Sequence, residues 1–101
     1  MKLYYLAHPY TGNEKENFKL ATSRTQTLLD LGYHVLSPVT YTHPIHQQKE
    51  RDYNFWMKFC LVLISKCDGI IFAPGWEDSR GCLLEYAHSD GKEILFLEDI
   101  I

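Results

Sequence analysis

Short runs of apolar residues alternate along the chain with longer stretches in which apolar residues recur every three or four positions. The short runs are typical of buried strands, and the second spacing is typical of amphipathic helices. The runs predict strands at residues 3–7, 33–36, 68–73 and 93–97. The periodic stretches between them predict three helices, at residues 13–32, 52–66 and 79–89.

The ends of the predicted helices carry capping residues. Asn13 followed by Glu16 has the spacing of a helix N-terminus, and Gly32 is a typical C-terminal stop. Ser79 is a typical N-cap. The segment from Val39 to Arg51 has mixed polarity and an internal proline, and we expect it to be a loop.

Alternation of strands and helices favours a parallel sheet with right-handed crossovers and helices on both faces. We therefore expect an α/β protein of the flavodoxin-like, doubly wound type, with about four strands in the order 2-1-3-4 and three helices. Ligands of such sheets bind outside the carboxyl ends of the strands, where neighbouring crossovers diverge. In this order that point lies between strands one and three.

Composition and charge narrow the class of protein. The 101 residues fit one domain, which we expect to span residues 1–101. A net charge of −3 without a basic run argues against binding to a nucleic acid polymer. No apolar stretch approaches the ~20 residues of a membrane span, so no membrane partner is expected. Three cysteines without paired spacing, and no signal-peptide pattern, predict a cytoplasmic protein with free thiols.

Two loops meet at the predicted switch point, and both lead into helix N-termini. They are residues 8–13 and residues 74–81. The free N–H groups and the dipole of a helix N-terminus favour an anion, and Gly12 and Gly81 let the backbone approach it closely. Neither loop has the glycine spacing of a Walker or Rossmann motif, which argues against a nucleoside triphosphate or a dinucleotide. A small nucleotide remains compatible with both loops.

A carboxylate, Glu85, follows the second of these loops by one helical turn. It shares a predicted helix face with Gly81, Cys82 and His88, so it can reach the same edge of the sheet. A helix glutamate is also commonly a solvated surface residue. The spacing alone leaves both interpretations open.

Three segments in a characteristic order suggest a family. They are Tyr5-Leu6-Ala7-His8-Pro9-Tyr10, Cys67-Asp68-Gly69-Ile70, and Gly75-Trp76-Glu77-Asp78-Ser79-Arg80-Gly81 leading to Glu85. Together they resemble the nucleoside 2-deoxyribosyltransferase superfamily, and in particular its small bacterial and phage members. The resemblance covers nearly the whole chain, and the spacing of Ser79, Gly81 and Glu85 is its most specific part. It implies a flavodoxin-like fold and cleavage of the N-glycosidic bond of 2′-deoxynucleosides or their 5′-monophosphates.

The resemblance also implies that Glu85 is the nucleophile. A carboxylate can attack the anomeric carbon and form a glycosyl-enzyme ester, which water or a second base displaces with retention. Members specific for monophosphates hold the phosphate with the serine of the motif, here Ser79, and with loop residues for which Tyr10 and Thr11 are looser matches. Arg80 beside the serine either supports a phosphate or is a solvated arginine at a helix start.

One position departs from the family pattern. Many members have an aspartate on the second helix that assists protonation or orientation of the base, and this chain has Cys60 there. A thiol cannot replace a carboxylic acid in general acid catalysis at neutral pH. Either Asp52 or Glu77 then supplies the acid, or the protein is a non-catalytic module that binds or sequesters a nucleotide or ribosyl-phosphate compound.

Aromatic side chains supply further candidates. Trp76 lies in the loop that should form the site, where it can stack on a base, whereas Trp56 is expected in the core or an interface. Tyr10, in the first loop, is favoured over the strand residue Tyr5 for contact with the sugar or the nucleophile.

The expected catalytic residues are therefore Glu85 and Tyr10, acting on a small nucleoside or nucleotide without a cofactor. The expected substrate-binding residues are His8, Pro9, Thr11, Gly12, Trp76, Ser79, Arg80 and Gly81. His43 and His46 have the spacing of half a zinc site, but no third ligand lies at a suitable distance along the chain, so no metal is expected.

The predicted second helix, residues 52–66, carries aromatic or apolar residues around more of its circumference than one core needs. Members of the resembling family complete their sites with residues from a neighbouring subunit. We therefore expect a homodimer, or a homotetramer built as a dimer of dimers, that packs through this helix. In it, the loop of residues 39–51 would reach toward the partner's Glu85.

Overall fold

The four predicted strands form one parallel sheet. In the computed structural model, which describes residues 1–101, they are β1 (Leu3–Ala7), β2 (His34–Leu36), β3 (Gly69–Phe72) and β4 (Glu93–Phe96). The sheet order is β2-β1-β3-β4. This is the expected flavodoxin-like arrangement, with the change of winding direction between β1 and β3.

Five helices surround the sheet, two more than the periodicity predicts. They are α1 (Glu14–Asp30), α2 (Pro38–Gln48), α3 (Tyr53–Ser65), α4 (Arg80–Ala87) and α5 (Leu97–Ile100), and a 3₁₀ turn covers Trp76–Asp78. The short helix α5 begins at the last residue predicted for the fourth strand, Leu97, whose side chain is buried. No helix is both long and apolar enough to cross a membrane.

The prediction of a loop over residues 39–51 was wrong, because α2 occupies most of this segment. Pro38 stands at the start of the helix, where its fixed φ and missing N–H are tolerated. Pro44 lies inside the helix, where a proline removes a backbone hydrogen bond. Burial of Val39 and His43, on a helix that packs against α1, offsets that loss.

Successive residues of each strand point to opposite faces of the sheet, and both faces are covered. On one face Tyr5, Ile70 and Phe72 pack with Ile64 of α3 and Cys82 of α4. On the other face Leu6 and Ile71 pack with residues of α1 and α5. Because apolar side chains and helices cover both faces of the sheet, water and polar ligands reach it at the ends of the strands.

The amino end of the sheet is closely packed at Gly69. A Cβ atom at this position would lie 2.7 Å from the Tyr4 ring and 2.9 Å from the Glu93 carbonyl oxygen. Real Cβ atoms do not approach backbone so closely. Glycine is therefore required here by packing against both neighbouring strands.

Candidate active site

A cavity of about 670 Å³ opens at the carboxyl end of β1. Its walls come from the β1–α1 loop, from α2 and α3, and from the first turns of α4. Among the residues that line it are Tyr5, His8, Tyr10, Thr11, Ser79, Gly81 and Glu85. The cavity is therefore at the switch point that the fold predicts for a ligand.

Glu85 is a buried carboxyl group in this cavity. Its side chain is 6% exposed, and the Tyr5 hydroxyl donates a hydrogen bond to its Oε2 atom. Burial raises the pKa of Glu85 from its ordinary value of 4.5 to about 7, while hydrogen bonds from Tyr5 and Cys82 oppose the rise. The interpretation of Glu85 as a solvated surface glutamate is therefore excluded. A carboxyl group with this pKa is present in both protonation states near neutral pH.

The tyrosine that contacts Glu85 is Tyr5 of β1 and not Tyr10, which the sequence favours for contact with the sugar or the nucleophile. The Tyr5 ring is fully buried, and burial followed by the charge of Glu85 raises its pKa well above 10. The hydroxyl therefore remains protonated and acts as a donor. Tyr10 also lines the cavity, but its hydroxyl shares a hydrogen bond of 2.7 Å with Nδ1 of His43.

Two thiols lie next to Glu85 and are held in the neutral form. Burial raises the pKa of Cys60 to about 11 and that of Cys82 to about 12. Cys60 lines the cavity at the position where the resembling family has an aspartate. At neutral pH it supplies neither a carboxylic acid nor a thiolate.

His8 forms part of the cavity wall with both ring nitrogens engaged. Its Nδ1 donates to the carbonyl oxygen of Pro9 at 2.8 Å, and its Nε2 accepts from the Arg24 guanidinium at 2.9 Å. These partners require the neutral ring, and burial lowers the pKa of His8 in agreement. The imidazole thus has no free nitrogen for a ligand.

The first turn of α4 presents donors to the cavity. Ser79 is the N-cap, and its Oγ accepts a hydrogen bond of 3.3 Å from the Cys82 N–H. The N–H groups before Cys82 have no carbonyl partner within the helix. Since Ser79 and Gly81 both line the cavity, this end of it is suited to a negatively charged group.

The opposite wall is formed where α2 and α3 meet. The indole N–H of Trp56 donates to Nδ1 of His46 at 3.0 Å, so the proton of a neutral His46 ring lies on Nε2. The Arg51 guanidinium stands 5.8 Å from the Trp56 ring. Trp56 and His46 both line the cavity, so Trp56 is part of the site and not only of a core or interface.

Four of the expected binding residues lie outside the cavity lining: Pro9, Gly12, Trp76 and Arg80. The Trp76 ring packs instead against Phe72, with ring centres 4.9 Å apart. The Arg80 guanidinium stacks on Tyr53, 4.7 Å from the ring centre. Pro9 contributes only its carbonyl group, to His8, and Gly12 is an exposed turn residue with a positive φ of 95°.

The position of α2 also changes the expected assembly of the site. Val39, Thr42 and His46 of this helix line the same cavity as Glu85 of the same chain. We expected the segment of residues 39–51 to reach Glu85 of a partner subunit. In the structure this segment covers Glu85 of the same chain. Of the two alternative acids, Asp52 lines the cavity and Glu77 does not.

One stripe of α3 faces the cavity, and the sequence places only Cys60 of it at the site. Its members, three or four residues apart, are Tyr53, Trp56, Met57 and Cys60. This spacing marks one helix face, and the sequence predicts that the first three pack against a second subunit. His43 bonds Tyr10 and stacks on Phe18, and no group of three His, Cys, Asp or Glu side chains is arranged to hold a metal ion.

Comparison with known proteins places the chain in a family. A family model described as a domain of unknown function, DUF4406, matches residues 1–96. Among solved structures, the 2-deoxyribosyltransferase of the psychrotolerant bacterium Bacillus psychrosaccharolyticus is similar, with a TM-score of 0.61 and 24% sequence identity. The match covers 93% of this chain and 70% of that one. No curated protein matches the sequence. The structural likeness confirms the fold.

Proposed function

The chain belongs to the DUF4406 family, and we propose that it cleaves the N-glycosidic bond of a 2′-deoxynucleoside or its 5′-monophosphate with Glu85 as nucleophile. The observation that carries this proposal is the buried Glu85, bonded by Tyr5, in the cavity of a fold shared with a 2-deoxyribosyltransferase. The cavity volume of about 670 Å³ lies within the usual range for small-molecule sites.

The chemistry uses one carboxylate oxygen. The ionised Glu85 attacks the anomeric carbon, an ester bond forms, and the bond from that carbon to the base nitrogen breaks with its electrons going to the base. Water then releases the free sugar, or a second base takes its place. Ester formation removes a negative charge that the buried site disfavours, which assists the first step.

Tyr5 has the geometry of a positioning residue for this step. Its hydroxyl donates to the Oε2 atom of Glu85 and so holds the carboxyl group in one orientation. The hydrogen bond also favours the ionised carboxyl group, which is the reactive form. Glu85 thereby remains usable at neutral pH although it is buried.

The departing base needs a proton from a group other than Cys60. The Cys60 thiol, with a pKa of about 11, is too weak an acid at neutral pH. Of the two carboxyl groups that the sequence offers as the acid, Asp52 lines the cavity and Glu77 does not. We therefore assign Asp52 as the general acid, although its Oδ1 also accepts the Phe55 N–H as the N-cap of α3.

Release of free base from purified protein tests the proposal. The four 2′-deoxynucleosides and their 5′-monophosphates are incubated with wild type and with Glu85→Gln, and the bases are separated by chromatography. Wild type should release base and Glu85→Gln should not, while the exposed control Glu77→Gln retains activity. If Glu85→Gln still releases base, the assignment of Glu85 as nucleophile is wrong. If the wild type releases no base, the proposal that the protein is an enzyme is wrong.

Cys60 favours a second candidate, a non-catalytic module that binds nucleotides. Its thiol occupies the family's acid position and is neutral. Calorimetry separates the two functions, since a module binds stoichiometrically and forms no product. A Cys60→Asp variant that releases base, when the wild type does not, would identify an enzyme fold that has lost its acid.

We also propose that residues 1–101 act as one domain in a homodimer or homotetramer. Apolar side chains remain exposed on the outer faces of α3 and α4, among them Phe55, Val62, Leu83 and Tyr86. Light scattering at micromolar concentration should give a mass of at least two chains. A mass of one chain would contradict the proposed assembly. It would not contradict the proposed reaction, because α2 covers the site within one chain.

A further inference from the structure

His46 of α2 is held in one tautomer by two N–H donors. The indole N–H of Trp56 donates to its Nδ1 atom at 3.0 Å, and the backbone N–H of Arg51 donates to the same atom at 3.4 Å. A ring nitrogen that accepts hydrogen bonds carries no proton, so the proton of the neutral ring lies on Nε2. The two donors therefore fix the His46 ring as a donor through Nε2.

The Nε2–H group of His46 makes no hydrogen bond within the chain. The His46 side chain is half-buried, and the one buried side-chain polar atom without a partner is the hydroxyl of Tyr53. The unpaired Nε2 atom is therefore accessible, and its ring lines the cavity that contains Glu85. A donor that is held in place and has no acceptor in the protein is suited to an acceptor atom of a ligand.

A second group that can only donate belongs to the same wall. The Arg51 guanidinium stands 5.3 Å from the Phe55 ring and 5.8 Å from the Trp56 ring, and Arg51 lines the cavity. A guanidinium group has five donors and no acceptor. The carboxylates nearest to it along the chain, on Glu50 and Asp52, belong to exposed side chains, where water screens their charge. The half-buried part of this wall therefore favours an acceptor over a donor.

The base of the proposed substrate is directed toward this wall. Displacement at the anomeric carbon requires the nucleophile and the leaving group on opposite sides of that carbon. With Glu85 on one side, the base extends toward the wall that α2 and α3 form. Cys60 of α3 lies next to Glu85, and Trp56 precedes it by one helical turn, about 6 Å along the axis. His46, which is bonded to Trp56, is thus beyond the sugar and beside the base.

We infer that His46 and Arg51 select bases with a carbonyl oxygen over bases with an amino group at the same ring position. This inference rests on the proposed function and names its substrate class, the 2′-deoxynucleosides of guanine, hypoxanthine, thymine or uracil and not those of adenine or cytosine. The O6 atom of guanine and the O4 atom of thymine are acceptors, whereas the amino groups of adenine and cytosine are donors. An amino group at this wall meets donors and loses its bond to water without replacement.

Two pairs of nucleosides, in each of which a carbonyl oxygen replaces an amino group, test the inference. They are 2′-deoxyinosine with 2′-deoxyadenosine, and 2′-deoxyuridine with 2′-deoxycytidine. Each is titrated calorimetrically into Glu85→Gln, so that no ligand is consumed. The carbonyl member of a pair should bind about 10- to 100-fold more tightly, because it gains a hydrogen bond where the amino member leaves an unpaired group. The same preference is expected among the matching 5′-monophosphates.

Two further substitutions in this background test the role of the fixed tautomer. Trp56→Phe keeps an aromatic ring but removes the indole N–H, so that only the longer bond from Arg51 holds Nδ1 and Nε2 can become an acceptor. His46→Gln places an amide at the wall, which both donates and accepts. Each should remove most of the preference for the carbonyl member. Trp76→Phe makes the same change outside the cavity and should keep the preference.

The inference is overturned if the amino member of both pairs binds at least as tightly as the carbonyl member. It is also overturned if the preference persists in both Trp56→Phe and His46→Gln. If the wild type releases base but the protein binds both kinds of base equally, this inference fails and the proposed function stands. If the preference is observed and the wild type releases no base, the proposed reaction fails and the role of His46 stands.

Discussion

Replacing Glu85 by glutamine should make the protein more stable at alkaline pH while removing its proposed activity. The carboxyl pKa rises from 4.5 to about 7 because the side chain is buried. Between these two pH values the folded state holds a proton that the unfolded state has released. The stability linked to this proton is complete below about pH 4.5 and is lost as the pH rises through about 7.

The size of the effect follows from the two pKa values. A change from 4.5 to about 7 on folding corresponds to about 3 kcal/mol of unfolding free energy between acidic and alkaline pH. Glutamine does not titrate, and its amide oxygen still accepts the hydrogen bond from Tyr5. The stability of Glu85→Gln relative to wild type should therefore improve by about 3 kcal/mol from about pH 4 to about pH 8.

Urea unfolding followed by tryptophan fluorescence measures this difference at several pH values. Other titrating groups are common to both proteins, so their contributions cancel in the comparison. Glu77→Gln makes the same chemical change on an exposed side chain and controls for the loss of one negative charge. A difference between Glu85→Gln and wild type that stays constant with pH would show that the buried carboxyl does not titrate near neutrality.

Two further substitutions test the geometry around the sheet. Tyr5→Phe removes a hydrogen bond to the ionised Glu85 and should raise its pKa. The acid limb of base release should then move up by about one to two pH units in a rate profile, and an unmoved limb would contradict the positioning role. Gly69→Ala would bring a Cβ to 2.7 Å from the Tyr4 ring and 2.9 Å from the Glu93 carbonyl. It should lower the unfolding free energy by about 1 to 3 kcal/mol in urea, and an unchanged midpoint would contradict the packing.

The strands and three of the helices follow from the sequence because apolar spacing reports which side of an element is buried. Helix α2 escapes this reasoning. Its internal Pro44 and its mixed polarity are typical of a loop, and the helix is stabilised by packing that involves residues distant in sequence. Its buried Thr42 and His43 are polar residues whose position no periodicity would indicate. Tertiary contacts decided the structure there over local preference.

The position of the candidate site was predictable from the order of the strands and helices along the chain. Parallel topology brings the loop after β1 and the start of α4 together, and the spacing from Gly81 places Glu85 there. Which tyrosine would touch Glu85 was not predictable, because that depends on which face of β1 lies against α4. Trp76 packs against Phe72 instead of lining the cavity, and it follows Gly75, whose positive φ of 87° is a turn conformation that the apolar spacing does not indicate.

Cys60 connects the stability of the site to its chemistry. A carboxylate at this position would be a second negative charge beside Glu85 and would raise its pKa above the present value of about 7. The neutral thiol avoids that repulsion and leaves Glu85 substantially ionised at neutral pH. Cys60→Asp should therefore shift the acid limb of base release upward, even if the new acid speeds departure of the base. Cys60→Ser, which adds no charge, should leave the limb in place, and equal profiles for the two variants would contradict the electrostatic argument.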